Sequence, residues 1–362
     1  MKQGSKNTKK LLIMAAGTGG HIFPGLAIAA TMQERGWSVS WLGTSKGMET
    51  QIVPKHQIEM DNINFSGLRG KGLMHSLTGA AKMLGSFFTC LNILRKRQPD
   101  VVLGMGGYVT VPGGLMAALL GKPVVLMNAD AALLLSNKAL RPVASKLLFG
   151  LPSSAQQTDQ KMLWTGNPIR KEICQLAQPQ VRYAARSGAL KILVVGGSLG
   201  AKVLNECIPD ALALMPAGMR PVVTHQSGKQ HIDALQQRYA ASGVQAEVLD
   251  FIDDMPRRYA DADLVICRAG AITVSELTAA GVASILIPFV ASSTSHQKDN
   301  AQWMSEQKAA IYLPQAELNA KALAETLMNM NRAQCQDMAQ IAYTLGRRDA
   351  NEVIAKILEN LA

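Results

Sequence analysis

The chain has 362 residues, enough for about two domains that each bury a proper core. Its 48% hydrophobic and 17% charged content excludes a disordered chain. The 37 Lys and Arg against 26 Asp and Glu leave a formal charge of +11, which favours an anionic partner such as a phosphate-bearing ligand or acidic lipid. With only 5% aromatic residues and no zinc-finger or RNA-binding signature, nucleic acid is not the expected partner.

Near the start, Lys2, Lys6, Lys9 and Lys10 are basic. The apolar run after them is short and breaks into glycines, so it lacks the apolar core of a signal peptide. Leu11 to Met14 reads as a strand that ends in Gly17-Thr18-Gly19-Gly20-His21, and Pro24 reads as part of a first helical turn. Ser38 to Leu42, Val101 to Leu103 and Val124 to Met127 read as further strands with helical stretches between them, the βαβ pattern of a doubly wound sheet. Between Ile63 and Gln98 six basic residues and no acidic one are interleaved with apolar side chains. Lys71, Lys82, Leu73, Leu77 and Phe87 there form a basic-rimmed apolar patch, which reads as a shallow contact with an anionic membrane surface. The apolar stretch Val109 to Leu135 is interrupted by Pro112, Gly113, Lys122, Pro123 and Asp130. It reads as helix, turn and strand, and no stretch is long enough to span a bilayer.

The pattern restarts at Lys191 to Val195, followed by Gly196-Gly197-Ser198-Leu199-Gly200 and a helix. Residues 175–190, rich in Gln and Arg, read as a surface segment before it. Val222 to Thr224, Ala246 to Leu249, Leu264 to Ile266 and Ser284 to Ile287 supply later strands. The run after Cys267 places small residues before a helix opening at Thr273 to Leu277, with Glu276 in its first turn. Asp261 and Asp263 read as a solvated turn into a strand, and Asp253 and Asp254 as loop and helix cap. Val353, Ile354, Ile357, Leu358 and Leu361 fall on one face of a closing amphipathic helix. Five dispersed cysteines without a CxxC pair read as reduced thiols rather than a metal cluster.

Two glycine-rich strand-to-helix turns imply two Rossmann-like halves and a cleft enzyme that uses a phosphate-bearing ligand. Both turns miss the GxGxxG spacing of dinucleotide dehydrogenases and the phosphate-loop pattern of nucleoside triphosphatases.

The ordered motifs GTGGHIFPGLAIA (Gly17–Ala29), GMGGYV (Gly104–Val109), GNPIR (Gly166–Arg170) and VVGGSLGA (Val194–Ala201) carry a more specific signal. They continue with HQSGK (His225–Lys229), FIDDM (Phe251–Met255), CRAGAITVSE (Cys267–Glu276) and HQKDNA (His296–Ala301). Together they resemble the MurG family, the GT-B-fold glycosyltransferases of peptidoglycan synthesis. The resemblance implies an α/β fold of two doubly wound Rossmann-like domains facing across a cleft. They are residues 8–168 with 346–362 for acceptor and membrane, and 169–345 for the donor. It implies transfer of N-acetylglucosamine from UDP-GlcNAc to lipid I, forming lipid II at the cytoplasmic face of the inner membrane. It implies no metal and no cofactor, and contact with other cell-wall synthesis and division proteins.

Carried onto this sequence, the resemblance sets Ser198 at the pyrophosphate, the Ile252 backbone at the uracil, Glu276 at the ribose and Gln297 at the sugar hydroxyls. Ala271, Ile272, Thr273, Val274 and Ser275 line the nucleotide pocket, and Arg170 touches the donor. Gly17, Thr18 and Gly19 face the donor sugar or the acceptor diphosphate. Gly20, Gly106, Gly107, Tyr108 and Asp130 lie toward the acceptor, and His21 is the candidate general base. Where the family reads HEQN, this chain has Met127-Asn128-Ala129-Asp130, so no carboxylate role is carried to position 128. A GT-B enzyme with another lipid acceptor, and a catalytically weak nucleotide-binding scaffold, are the alternative readings.

Overall fold

A computed structural model describes residues 8–64, 73–152, 159–197, 200–289 and 296–362, with side chains throughout except at 73–83. The chain divides into two compact units, Met1–Arg170 with Asp349–Ala362, and Lys171–Arg348.

The first unit is built on seven parallel strands: β1 (Lys10–Ala15), β2 (Ser38–Thr44), β3 (Glu59–Ile63), β4 (Val101–Gly106), β5 (Val124–Asn128), β6 (Lys146–Phe149) and β7 (Met162–Trp164). Their order is β3-β2-β1-β4-β5-β6-β7. Helices cover both faces of such a sheet, so its central strands are apolar on both sides. Leu11, Ile13 and Ala15 of β1 join one core with Ile22, Ile28 and Met32 of the helix Gly19–Glu34. Leu12 and Met14 join the opposite core with Cys90 and Leu94 of the helix Leu73–Arg97. The strands β3, β6 and β7 escape a reading of hydrophobic runs because they are short and lie toward the sheet's edges. The edge strand β3, Glu-Met-Asp-Asn-Ile, keeps most of its side chains partly in solvent.

The closing helix Ala350–Leu361 returns to this unit. It buries Ile354 and Leu358, each contributing about 1.5–3 kcal/mol, against the core of the first helix. Arg35, at the C-cap of the helix Gly19–Glu34, pairs with Glu352 and with Glu359, the latter at 2.6 Å.

The second unit has six parallel strands: β8 (Lys191–Val195), β9 (Val222–Gln226), β10 (Glu247–Leu249), β11 (Leu264–Cys267), β12 (Ala283–Leu286) and β13 (Ile311–Tyr312), in the order β10-β9-β8-β11-β12-β13. The segment read as surface, 175–190, is instead an anchored strap. Tyr183 of the helix Pro179–Ala184 is buried and donates to the Asp263 carbonyl at 2.7 Å, and the Arg182 guanidinium caps the carbonyls of Ala280 and Gly281. Its Gln and Arg content hid this, because arginine buries its stem while its head serves carbonyls. Nor is Asp263 in a solvated turn. It is buried at the entry to β11, ion-paired with Arg186 at 2.8 Å and Arg332 at 3.2 Å, and it accepts the Lys191 amide at 2.8 Å.

Candidate active site

In an open parallel sheet, ligands bind beyond the strand C-termini where the strand order reverses. In the first unit that point lies between the neighbours β1 and β4. The loops leaving these strands are the two glycine stretches singled out above. Gly17 has φ +101°, a conformation open to glycine, and turns the chain into the helix Gly19–Glu34 with Thr18 at its N-cap. Because the helix opens at Gly19, Pro24 lies in its second turn rather than its first, where its ring nitrogen cannot donate to the Gly20 carbonyl. Gly17, Thr18 and Gly20 are exposed.

His21 sits in the first turn of this helix with its ring held from two sides. Nδ1 lies 3.1 Å from the Ala16 carbonyl oxygen, which can only accept, so Nδ1 carries the proton and Nε2 holds the lone pair. On the other side is Gly106, with φ +121°. A methyl group there would lie 2.7 Å from the ring's Cδ2 and Nε2, so glycine is required both by its backbone and by the space beside Nε2. Gly107 packs against the Ala16 backbone, and Tyr108 beyond it is half-exposed. Burial pushes the His21 imidazole below its ordinary range. The Ala16 carbonyl, Asp130 and Glu49 oppose that shift without overcoming it. The ring is therefore neutral at neutral pH through desolvation.

The loop after β5 is organised by Asn128, which is fully buried. Its amide nitrogen donates to the carbonyls of Asp130 (2.6 Å) and Ala132 (3.0 Å), and its oxygen accepts from the Leu134 amide and from Asn137. Asn167 of the GNPIR motif donates to the Ala129 carbonyl at 3.0 Å and fixes the same loop. Asn128 is thus a structural hub, and Asp130 is the acidic group of this loop that bears on His21. Arg170 closes the first unit and is half-buried.

In the second unit the reversal lies between β8 and β11. Ser198 and Leu199 lie outside the described residues. Around them, Gly200 (φ +77°) approaches the Ser227 carbonyl so closely that a Cβ would lie 2.1 Å from it. Ser227 belongs to the HQSGK motif, whose His225 is buried between Tyr239 (2.9 Å) and Asn205 (3.1 Å). Burial holds His225 down at about 3, so this motif supports the glycine turn as a neutral packed network.

After β11 the helix Ala271–Ala280 opens behind Gly270, which is extended and offers no side-chain cap. The first amides of the helix therefore have no intrahelical acceptor and present a positive end. The helix starts earlier than expected because Ala271 and Ile272 continue its turn. This places Glu276 in the second turn, where it is buried and accepts from the Tyr259 hydroxyl at 3.2 Å. Ile272 and Thr273 keep some exposed surface, whereas Ala271, Val274 and Ser275 are buried. Arg268 donates to the Ile287 carbonyl at 3.0 Å and lies over the Phe289 ring, and no acidic partner is placed beside it among the described residues. Gln297 opens the helix His296–Glu306 and accepts from the Phe289 amide at 2.9 Å, so its NH₂ group is what remains to offer a hydroxyl. Ile252 is buried in the loop before the helix Met255–Asp261. There Asp254 occupies the cap position, but its carboxylate pairs with Arg258 instead of capping.

Two contributors were missed in the sequence. Asn300 donates to the Ala269 carbonyl at 3.0 Å and so holds the loop before the helix Ala271–Ala280; its presence in HQKDNA was the available signal. Glu49, whose carboxylate reaches Gly17, had none. Of the membrane patch, Lys71 and the side chains of Leu73, Leu77 and Lys82 lie outside the described residues. Phe87 is half-buried, while Leu84 and Phe88 are 61% and 70% exposed on the same helix. Among the described residues no helix is long and apolar enough to cross a membrane, and no group of three His, Cys, Asp or Glu is placed to hold a metal ion.

Comparison with known proteins adds independent information. Residues 11–149 match the glycosyltransferase family 28 N-terminal domain, and residues 191–354 its C-terminal domain. A relative from Herminiimonas arsenicoxydans is 67% identical over 353 residues, covering 98% of this chain and 99% of its own. It is named UDP-N-acetylglucosamine--N-acetylmuramyl-(pentapeptide) pyrophosphoryl-undecaprenol N-acetylglucosamine transferase. The crystal structure of Acinetobacter baumannii MurG superimposes with a TM-score of 0.81 at 34% identity, over 97% of this chain and 99% of that one. A UDP-GlcNAc 2-epimerase from Neisseria meningitidis reaches a TM-score of 0.66 at 11% identity, covering 97% of this chain and 100% of that one, which shows the shared fold alone.

Proposed function

The chain belongs to glycosyltransferase family 28, in its MurG branch with the GT-B fold, and from that premise we propose that it transfers N-acetylglucosamine from UDP-GlcNAc to the C4 hydroxyl of the MurNAc sugar of lipid I, forming lipid II. The observation that carries this reading is the 67% identity, over 98% of the chain, to a transferase named for that donor and acceptor.

The second unit binds the donor. The open N-terminus of the helix Ala271–Ala280, with Ser198 of the glycine turn, receives the diphosphate, and Arg268 adds positive charge. Glu276 accepts from the ribose hydroxyls, its carboxylate held by Tyr259; the Ile252 backbone meets the uracil, Gln297 the sugar, and Arg170 contributes to the donor. On the first unit, Gly20, Gly106, Gly107, Tyr108 and Asp130 attend the acceptor. His21 Nε2 takes the C4 hydroxyl proton as that oxygen attacks the anomeric carbon. The carbon–oxygen bond to the diphosphate breaks, UDP leaves with the electron pair, and a single displacement turns the α linkage into β.

Wild-type protein supplied with labelled UDP-GlcNAc and a lipid I analogue is expected to yield labelled lipid II. Donor binding without product would move the reading to another acceptor. For Glu276→Ala, loss of a charged hydrogen bond of about 1.5–3 kcal/mol raises the KM for UDP-GlcNAc by about 10- to 100-fold. An unchanged KM would remove Glu276 from the donor site.

The protein acts as a peripheral enzyme on an anionic membrane surface, at the cytoplasmic face where its lipid acceptor is presented. The helix Leu73–Arg97 supports this: Leu84 and Phe88 are exposed apolar side chains, and Arg95 and Lys96 are exposed at its end. Sedimentation with anionic vesicles should weaken on charge reversal at Lys71 and Lys82. Indifference to lipid charge would rule the contact out.

A further inference from the structure

We propose that Glu49 is a positioning residue for the proton transfer, clamping the Gly17–Gly20 turn to the end of β2 so that His21 is presented in a fixed pose. This rests on the reading of His21 as the base.

The Glu49 side chain is fully buried, and its carboxylate accepts three hydrogen bonds. Oε1 takes the Thr44 amide at 2.9 Å and the Thr44 hydroxyl at 2.6 Å, while Oε2 takes the Gly17 amide at 3.2 Å. Among the described residues no lysine or arginine pairs with it. A buried charge without a counter-ion is costly, and it persists only where donors satisfy it. Every partner here is a donor, so an acceptor-only group is what the position requires. The local sequence makes room for it. A Cβ on Gly47 would lie 2.0 Å from Oε2, and one on Gly43 would lie 2.8 Å from the Glu49 Cγ. Gly43, Thr44, Gly47 and Glu49 thus form one construction whose far end is the glycine turn. A packing role alone would not need a carboxylate aimed at the turn that precedes a candidate base.

Glu49 also bears on the imidazole through its charge. The charged groups acting on His21 are Asp130, from the loop after β5, and Glu49, which opens the short helix Glu49–Ile52 after β2. Both favour the protonated ring against the larger effect of burial. Removing the Glu49 charge therefore makes His21 less basic and moves its titration to lower pH.

The test uses the full chain and two variants. Glu49→Gln keeps the size but sets an NH₂ group among donors. Gly47→Ala leaves Glu49 in place and pushes its carboxylate away. The backbone at 47 is outside the left-handed region, so alanine fits there once the flexible end of Glu49 yields. In Glu49→Gln, kcat falls by about 10- to 100-fold through a misplaced base, with the KM for UDP-GlcNAc unchanged. The acid limb of the kcat/KM profile moves to lower pH, and the His21 imidazole followed by NMR titrates lower. Gly47→Ala gives the same pattern, weaker. A lowered Tm with the acid limb and the His21 titration both unmoved in the two variants overturns the proposal. Wild-type turnover in His21→Ala overturns instead the base assignment on which it rests. The titration needs no turnover, so it tells the two failures apart.

Discussion

Replacing His21 by alanine is expected to lower kcat for N-acetylglucosamine transfer by about 10²- to 10⁴-fold, the usual worth of a positioned general base. The KM for UDP-GlcNAc should hardly change, because the groups assigned to the donor lie mainly on the other unit. The sign of the pH dependence follows from the surroundings of the ring. Burial sets the His21 pKa below 6.5, while Asp130 and Glu49 restrain the shift. As the proposed base, His21 works with its Nε2 lone pair free, so kcat/KM is expected to rise with pH through a limb below 6.5 and to be flat through neutrality. Steady-state kinetics of wild type and His21→Ala across that range check both points. A mutant that keeps the wild-type kcat, or a limb above 6.5, would assign the proton transfer elsewhere.

Replacing Asp263 by alanine is expected to give the largest loss of stability away from the site. The change strips Arg186 and Arg332 of a shared carboxylate and leaves the Lys191 amide without its acceptor. Breaking a buried charge group by removing one member costs about 3–5 kcal/mol. At about 2–4 °C per kcal/mol, the Tm falls by about 6–20 °C. Burial alone would raise the Asp263 pKa, but the hydrogen bonds from Arg332, the Lys191 amide and Arg186 outweigh it and hold the carboxyl below its ordinary value. A depressed carboxyl adds stability that is complete above its unfolded pKa of about 3.9 and is lost as pH falls through the folded value. The gap between wild type and mutant should therefore be full at neutral pH and close in strong acid. Calorimetry as a function of pH checks this, and a Tm within experimental scatter of wild type at neutral pH would refute it. The cluster matters to function by position: β11 begins beside Asp263 and ends at Cys267, next to Arg268 and the helix assigned to the diphosphate.

Much of the architecture was readable along the chain. Central parallel strands such as β1 and β8 are apolar on both faces, so they stand out as short runs that stop in glycine. Those glycines could be placed because a turn over a strand end needs backbone freedom that Gly17 and Gly200 supply. The edge strands β3, β7 and β13 could not be read, since β3 is largely polar and β7 and β13 are only three and two residues long. Helix starts shifted for a related reason. Thr18 and Gly270 begin their helices through backbone geometry, with no side-chain cap to mark them.

What the sequence determined by itself is what depends on neighbours in the chain: the alternation of strand and helix, the two glycine turns, the ordered motifs and hence the family. The tertiary structure decided which distant groups meet. The Glu49 carboxylate reaches Gly17, Asn300 holds Ala269, and Asp263 gathers arginines from 186 and 332. His21 acquires its open flank from the distant Gly106 in the same way, while its tautomer is set locally by Ala16. A hydrogen bond or desolvation cost depends on distance and burial in space, and sheet order sets those distances between residues that the chain keeps far apart.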